Sequence, residues 1–400
     1  MRDEMGIAGG VQHLQWLFSG TFLVMLAAVP LFGWLTRRHA PHRFLPYIYY
    51  FFIGCLLLFF LLFRMEITHA YVARAFFIWA SVFNLFIVSV FWSFMADIFT
   101  TQQAKRLFGI IAAGGTAGAL TGPALTALLV MPLGPTNLLP LSAALLSWSV
   151  LCIHRLVNWG RTLEPHGGPN GSKDGGAPSN PQAAMDKPVG GDILGGVKLV
   201  LQSPYLLGIC CLMLLFTTLA TFLYFHQAHI VRDHFSDPAQ RTALFAGMDF
   251  TVNALTLITQ LLLTSRIVTR LGFAWTLATI PLMLTVGFLL LAMTPALWAI
   301  VAVQVIRRAG NYALMRPARE MLYVVLGKEE KYKSKNFIDT VVYRGGDAVS
   351  AWVYAGMSAI GLSVAGISLA AVPLAGLWTL VAFRLGIQQE RIAATRPQDR

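Results

Sequence analysis

Runs of about twenty apolar residues follow one another along this chain, and that pattern restricts its fold more than any other feature. A bilayer core about 30 Å thick takes about 20 helical residues to cross, and backbone polar groups inside it must be satisfied within the helix or around a closed barrel. Eleven stretches are long enough: 14–35, 45–63, 71–99, 107–130, 137–157, 203–228, 242–265, 273–293, 297–325, 337–360 and 362–384. None alternates with period two over ten residues, which argues against a barrel. Only 12% of the 400 residues are charged, against roughly 25% in a soluble domain. That is too few to cover a soluble surface, so soluble enzymes and disulfide scaffolds are excluded. A net charge of +12 does not mark a nucleic-acid reader here, because the basic residues stand singly between apolar runs. Cys55, Cys152, Cys210 and Cys211 all lie inside apolar runs and read as small membrane hydrophobes. The opening residues lack the basic region and cleavage site of a signal peptide. The expected class is an all-α polytopic membrane protein with about eleven transmembrane helices.

Residues 160–196 interrupt the pattern with a Gly/Pro-rich stretch that is nearly free of large apolar side chains. Such a segment cannot bury enough surface to order itself, so it reads as a flexible linker. It divides the chain into an N-terminal bundle of five helices (1–159) and a C-terminal bundle of six with a polar tail (197–400). Lys and Arg in the connecting segments give the orientation. Twenty-two fall on the side of the linker and the C-terminus, five (Arg2, Arg64, Arg74, Arg232, Arg241) on the other, and Arg307, Arg308 and Arg344 lie within spans. The linker and the C-terminus are therefore expected in the cytoplasm.

The two halves repeat each other weakly but in order. Arg2-Asp3 precedes Leu17-Phe18-Ser19-Gly20 and a long helix ending in Arg37-Arg38; Arg232-Asp233 precedes Leu244-Phe245-Ala246-Gly247 and a helix ending near Arg266. Further on, TTQQAKRLFGIIAAGG (100–115) finds its counterpart in EEKYKSKNFIDTVVYRGG (329–346). Two six-helix halves joined by a cytoplasmic linker resemble the plan of the major facilitator superfamily. Helix 203–228 precedes Arg232-Asp233, whereas nothing precedes Arg2-Asp3. The repeat thus leads to the expectation that the chain starts at an internal Met after a first helix. A genuine eleven-helix protein with an outside N-terminus is the alternative.

Within that superfamily, FWSFMADIFTTQQAKRLFGIIAAGGTAGALTG (91–122) and RPAREMLYVVLGKEEKYKSKNFIDTVVYRGGDAVSAW (316–352) resemble the ATP/ADP translocases, the nucleotide triphosphate/diphosphate exchange transporters. The resemblance runs along the whole chain and is densest in these two stretches. It implies a transporter that exchanges nucleotides or related anions, placed in a bacterial inner membrane. Gly109, Gly118, Gly122 and Pro123 also resemble the first positions of the superfamily's antiporter motif, with Thr126 and Ala127 where that motif has glycines.

A charge at the bilayer centre costs about 2.5–3.5 kcal/mol on insertion scales, so intramembrane charges point to function or to pairing. Asp249 lies on span 242–265. Arg307 and Arg308 lie within 297–325, with Asn311 and Tyr312 three and four residues beyond Arg308. Arg344 and Asp347 are spaced to face one another on 337–360. Arg308, Tyr312 and Arg316 recur every four residues and share a helix face. Two readings follow: a cavity whose guanidinium groups fork onto a carboxylate or phosphate, or interhelical ion pairs in which Asp249 and Asp347 neutralise the arginines.

Pro317 should kink its helix, with Gly310 offering a bend near a gate. Arg316 and Glu320 are spaced for a helix-end salt bridge at the cytoplasmic end. Gly114, Gly118 and Gly122 form a small-residue stripe suited to close helix approach or to a sliding seam. His226, His229 and His234 read as interfacial histidines rather than a metal site. No catalytic constellation, zinc motif or phosphate-binding loop is present, so neither an enzyme nor a cofactor is expected. The reading is a monomeric secondary transporter for a small anionic or nucleotide-like solute. A lipid-handling or non-transporting membrane protein of the same fold is the alternative.

Overall fold

The computed structural model describes residues 1–38, 41–65, 69–98, 101–162, 199–262, 264–327, 330, 334–335 and 337–395. The linker, read at 160–196, falls almost wholly outside them, as do Lys328, Lys331 and Lys333. The described residues are helical, with no strand among them. A short helix, α1 (Arg2–Ala8), turns through Gly10 at φ 95° into α2 (Leu14–Arg38). Then come α3 (Pro41–Arg64), α4 (His69–Ile98), α5 (Thr101–Leu133) and α6 (Leu138–Thr162). The second half begins with α7 (Pro204–His234), where Ser203 caps the start through a 3.4 Å bond from the Leu206 amide and Pro204 fills the first turn. It continues with α8 (Pro238–Leu262) and α9 (Thr264–Met293), the latter broken at Gly272, whose φ of 79° is open to glycine alone at no steric cost.

Nine of the described helices are long and apolar enough to cross a membrane. Two further expected spans are present but interrupted. Span 297–325 is built as α10 (Leu297–Gly310), a π-helical turn (Asn311–Met315) and α11 (Arg316–Leu322). Span 337–360 starts with a second π-turn (Ile338–Val342) before α12 (Tyr343–Ala359). Proline lacks the N–H that an α-helix needs four residues after its acceptor. A π-turn directly precedes Pro317, at the place where the sequence leads to the expectation of a kink. The last helix, α13 (Val364–Thr395), runs past the expected end at 384.

Lipid tails are as apolar as leucine, so close packing and polar contacts hold such helices together. The larger core is drawn from the second half, around Leu206, Leu212, Phe288 and Trp378, but it also takes Ile7, Val11, Leu14, Leu17 and Phe77 from the first. A smaller cluster of Met5, Phe59, Phe63 and Phe76 belongs to the first half alone. Met5 and Ile7 sit two residues apart and serve different cores, so α1 is wedged between the halves. On either side of it, α2 lies along α12 and α5 along α8. Asn253 of α8 donates to the Ala119 carbonyl of α5 at 2.8 Å, and Trp352 of α12 donates to the Ser19 hydroxyl of α2 at 3.0 Å.

Two expectations about packing change. Gly114, Gly118 and Gly122 are exposed, and a Cβ added to any of them meets nothing within 4 Å. The close approach occurs instead at Gly386 of α13, where a Cβ would stand 2.8 Å from the Ala274 Cβ and 3.1 Å from its backbone nitrogen. His226 is not interfacial. Because α7 continues to His234, His226 sits two turns from its end, with no exposed surface, between the Tyr354 hydroxyl (2.9 Å) and the Ser368 hydroxyl (3.0 Å). No metal-ligand cluster occurs among the described residues.

These contacts predict opposite responses to adding one methyl group. Gly386→Ala should destabilise by about 1–3 kcal/mol through overpacking and lower the melting temperature in detergent. Gly118→Ala should leave that temperature unchanged or raise it, since alanine is the better helix former by about 1 kcal/mol.

Candidate functional site

Between the two halves lies a cavity of about 790 Å³. Most of the side chains that line it are polar or aromatic. The second half contributes Tyr224 and Gln227 from α7, Gln304, Arg307 and Arg308 from α10, and Tyr343, Arg344 and Asp347 from α12. The first π-turn presents Asn311 and Tyr312, and Arg316 follows at the start of α11. The first half supplies Phe18 and Thr21 from α2, Phe77 and Asn84 from α4, and Arg2 and Asp3 from α1.

Of the residues expected from sequence, Arg307, Arg308, Asn311, Tyr312, Arg316, Arg344 and Asp347 thus share one cavity. Asp249 lies beside it on α8 and holds Arg308 at 2.5 Å. Pro317, Glu320 and the Gly114–Gly118–Gly122 stripe do not line it. Glu320 pairs with Lys335 rather than with Arg316 four residues earlier. An exposed i,i+4 pair is weak enough for a tertiary partner to displace.

The cations of the cavity are held in different ways. Arg2 forks onto one oxygen of Asp3 through Nη2 (2.8 Å) and Nε (3.0 Å). Arg308 meets Asp249. Arg344 is 3.9 Å from Asp347, at the limit of an ion pair. Arg307 has a neutral partner: its Nε and Nη2 donate to the Gln304 carbonyl oxygen at 3.0 and 2.8 Å. Among the described residues, five guanidinium groups and two carboxylates line the space. The imbalance, with aromatic rings beside it, suits an anion that carries a flat or apolar part.

Contacts across the two halves cluster at the α1 side of the cavity. The Tyr224 hydroxyl donates to Asp3 at 3.2 Å, and Phe18 packs on Tyr224 and Phe225 with ring centroids 5.4 and 5.7 Å apart. Behind them Glu4, with no exposed side-chain surface, meets Arg241 of α8 at 2.9 Å. Arg74 of α4 ties α1 down through a 2.7 Å bond to the Gly9 carbonyl. Sequence reading placed Arg2 and Arg241 in polar connections and passed over Glu4, Gln304 and Tyr224. The repeat of Arg2-Asp3 and the i,i+3 spacing of Gln304 and Arg307 were the available signals.

The family model of the Major Facilitator Superfamily matches residues 1–324. The chain belongs to the major facilitator superfamily. Members are membrane transporters rather than enzymes. This member is 23% identical over 315 residues to ADP,ATP carrier protein 1 of Chlamydia muridarum, a match covering 71% of the chain and 57% of that carrier. The chain thus spans little more than half the length of that relative. In fold it resembles the crystal structure of a bacterial homologue of the human lysosomal transporter Spinster, titled inward-facing and unoccupied. The TM-score is 0.56 and the identity 14%, over 100% of this chain and 96% of that one.

Removing one member of a buried ion pair strands a charge and costs about 3–5 kcal/mol, whereas replacing both by apolar groups is often neutral. Glu4→Leu and Arg241→Met should each lower the melting temperature by several degrees, and the double variant should recover most of the loss. A double variant as unstable as the worse single one would show that the two do not act as a pair.

Proposed function

We propose that this chain is a secondary active transporter that moves a small anionic, nucleotide-like solute by alternating access, as an exchanger in a bacterial inner membrane. The observation that carries the reading is the cavity between the halves, with its excess of guanidinium groups. Arginine at membrane depth is costly, and five on one cavity need a counter-charge that Asp3, Asp347 and the neighbouring Asp249 supply only in part. An incoming anion supplies it through forked, charge-assisted hydrogen bonds. The ADP,ATP carrier among the similar proteins supports a phosphorylated substrate.

In this reading the bundles 1–159 and 197–400 rock about the shared cavity, joined by the cytoplasmic linker 160–196. The Glu4–Arg241 and Asp3–Tyr224 contacts then form the outer closure, because the excess of Lys and Arg puts the opposite end in the cytoplasm. Arg316 and Glu320 belong to the cytoplasmic side of the pathway, and the glycine stripe of α5 faces the space through which the seam slides.

Two experiments test this reading. Reporter fusions at Gly175 and after Thr395 should both report the cytoplasm; opposite sides would contradict the two-bundle topology. In proteoliposomes, Arg344→Ala should lower uptake of ATP or a related anion about ten- to a hundredfold, the worth of one charge-assisted bond. Lysine should restore it only in part, because a point charge does not reproduce a planar fork. An Arg344→Ala, Asp347→Ala double variant that folds but stays inactive supports direct binding. Normal uptake by that variant would reduce Arg344 to a neutraliser of Asp347.

A further inference from the structure

Gln304 plays no part in the transport reading above, yet its setting is unusual for an amide. It is 1% exposed, lies on the cavity wall one helical turn before Arg307, and places a single carbonyl oxygen against both Nε and Nη2 of that residue. A guanidinium has five N–H donors in a rigid plane. Using two on one edge fixes that plane and leaves the other donors for the cavity.

The neighbouring arginines differ from Arg307 in their partners. Asp3, Asp249 and Asp347 stand beside Arg2, Arg308 and Arg344, so an anion reaching any of these competes with a resident carboxylate. At Arg307 the orienting group is neutral, so orientation is gained without cancelling the charge. Arg316 also has no carboxylate partner among the described residues, but it is exposed and has no comparable orienting partner there.

We infer that Gln304 is the positioning residue that makes Arg307 the primary anion anchor of the cavity, and that its neutrality sets the site's preference for a negatively charged group. The inference rests on the anion-transport reading and names which guanidinium takes the charge first. It also sets an order among substitutions. If Gln304 only fills space, glutamate, nearly isosteric with it, is better tolerated than leucine. If it orients Arg307 while leaving the charge free, glutamate is the worse change. The new carboxylate would sit i,i+3 from Arg307 and take the place of the anion.

The test uses the full chain in lipid nanodiscs with wild type, Gln304→Glu and Gln304→Leu, each checked for its melting temperature. Binding of ATP and of inorganic phosphate is measured by equilibrium dialysis. The rate of phenylglyoxal modification at Arg307 is read by peptide mass spectrometry. Gln304→Glu should weaken anion binding at least about tenfold, the scale of one charge-assisted bond, and slow the modification of Arg307 several-fold. Gln304→Leu should weaken binding about threefold without slowing modification. Equal binding by wild type and Gln304→Glu would overturn the inference and leave the transport reading standing. If wild type binds neither probe, the anion reading fails for these probes, and the modification rate decides the inference separately: slowing by glutamate supports it and an unchanged rate overturns it. If Gln304→Glu does not fold, Gln304→Leu decides, since wild-type affinity in that variant would overturn the inference.

Discussion

A carboxylate with no exposed surface inside a membrane domain must be neutralised, and the group that neutralises Glu4 comes from the other half of the chain. The Glu4–Arg241 contact at 2.9 Å sits among residues that already join the halves: Asp3 with Tyr224, Phe18 with Tyr224 and Phe225, Ile7 and Val11 within the larger core. Hydrophobicity alone gives two bundles no reason to associate in lipid, so close packing and polar contacts must join them. A buried ion pair is specific in a way that packing is not, because separating it leaves two charges without water. The placement of α1, the contacts at the α1 side of the cavity and the juxtaposition of α2 with α12 and of α5 with α8 are all consistent with this one clasp.

Beyond the clasp the polar groups are unevenly matched: Arg308 meets Asp249 at 2.5 Å, whereas other pairs are open or far apart. Glu4 is fully enclosed, Arg2 and Asp3 are partly open, and Arg344 and Asp347 are almost out of reach of each other. A site that closed all its own ion pairs would have no reason to take up an anion. The two π-turns lie at this part of the structure, just after Arg307 and Arg308 and just before Tyr343 and Arg344. A π-turn carries one residue more than an α-turn and frees backbone groups. Gln260 of α8 reaches the Tyr312 carbonyl at 3.3 Å and satisfies one of them. At the first π-turn the irregular backbone thus lines a cavity, as the cost of unsatisfied backbone in lipid demands.

Much of this architecture was legible in the residues. The apolar runs located each span because twenty helical residues are a geometric requirement, and Arg307, Arg308 and Arg344 stood out because charge in lipid is costly. Other features follow from tertiary contacts that spacing does not encode. Glu4 and Arg241 lie in segments that read as polar connections, and nothing local says that they are buried against each other. Gly114, Gly118 and Gly122 have the spacing of a packing stripe, but the close approach went to Gly386 and Ala274, where the sequence shows a single glycine. The π-turn near Pro317 was half visible, since proline marks an irregularity without saying what form the backbone takes there. Gln304 was passed over because an amide in a membrane helix announces no charge.

The central claim is that the Glu4–Arg241 clasp holds one end of the cavity shut and can be released. A distance measurement between the halves at that end tests it most directly. With Cys55, Cys152, Cys210 and Cys211 replaced, spin labels at the exposed positions Gln12 and Ser236 would report the separation by pulsed electron resonance in nanodiscs. The account predicts one short distance in the parent chain and an added, longer population once Glu4→Leu and Arg241→Met are introduced together. A distribution unchanged by loss of both charges would contradict it.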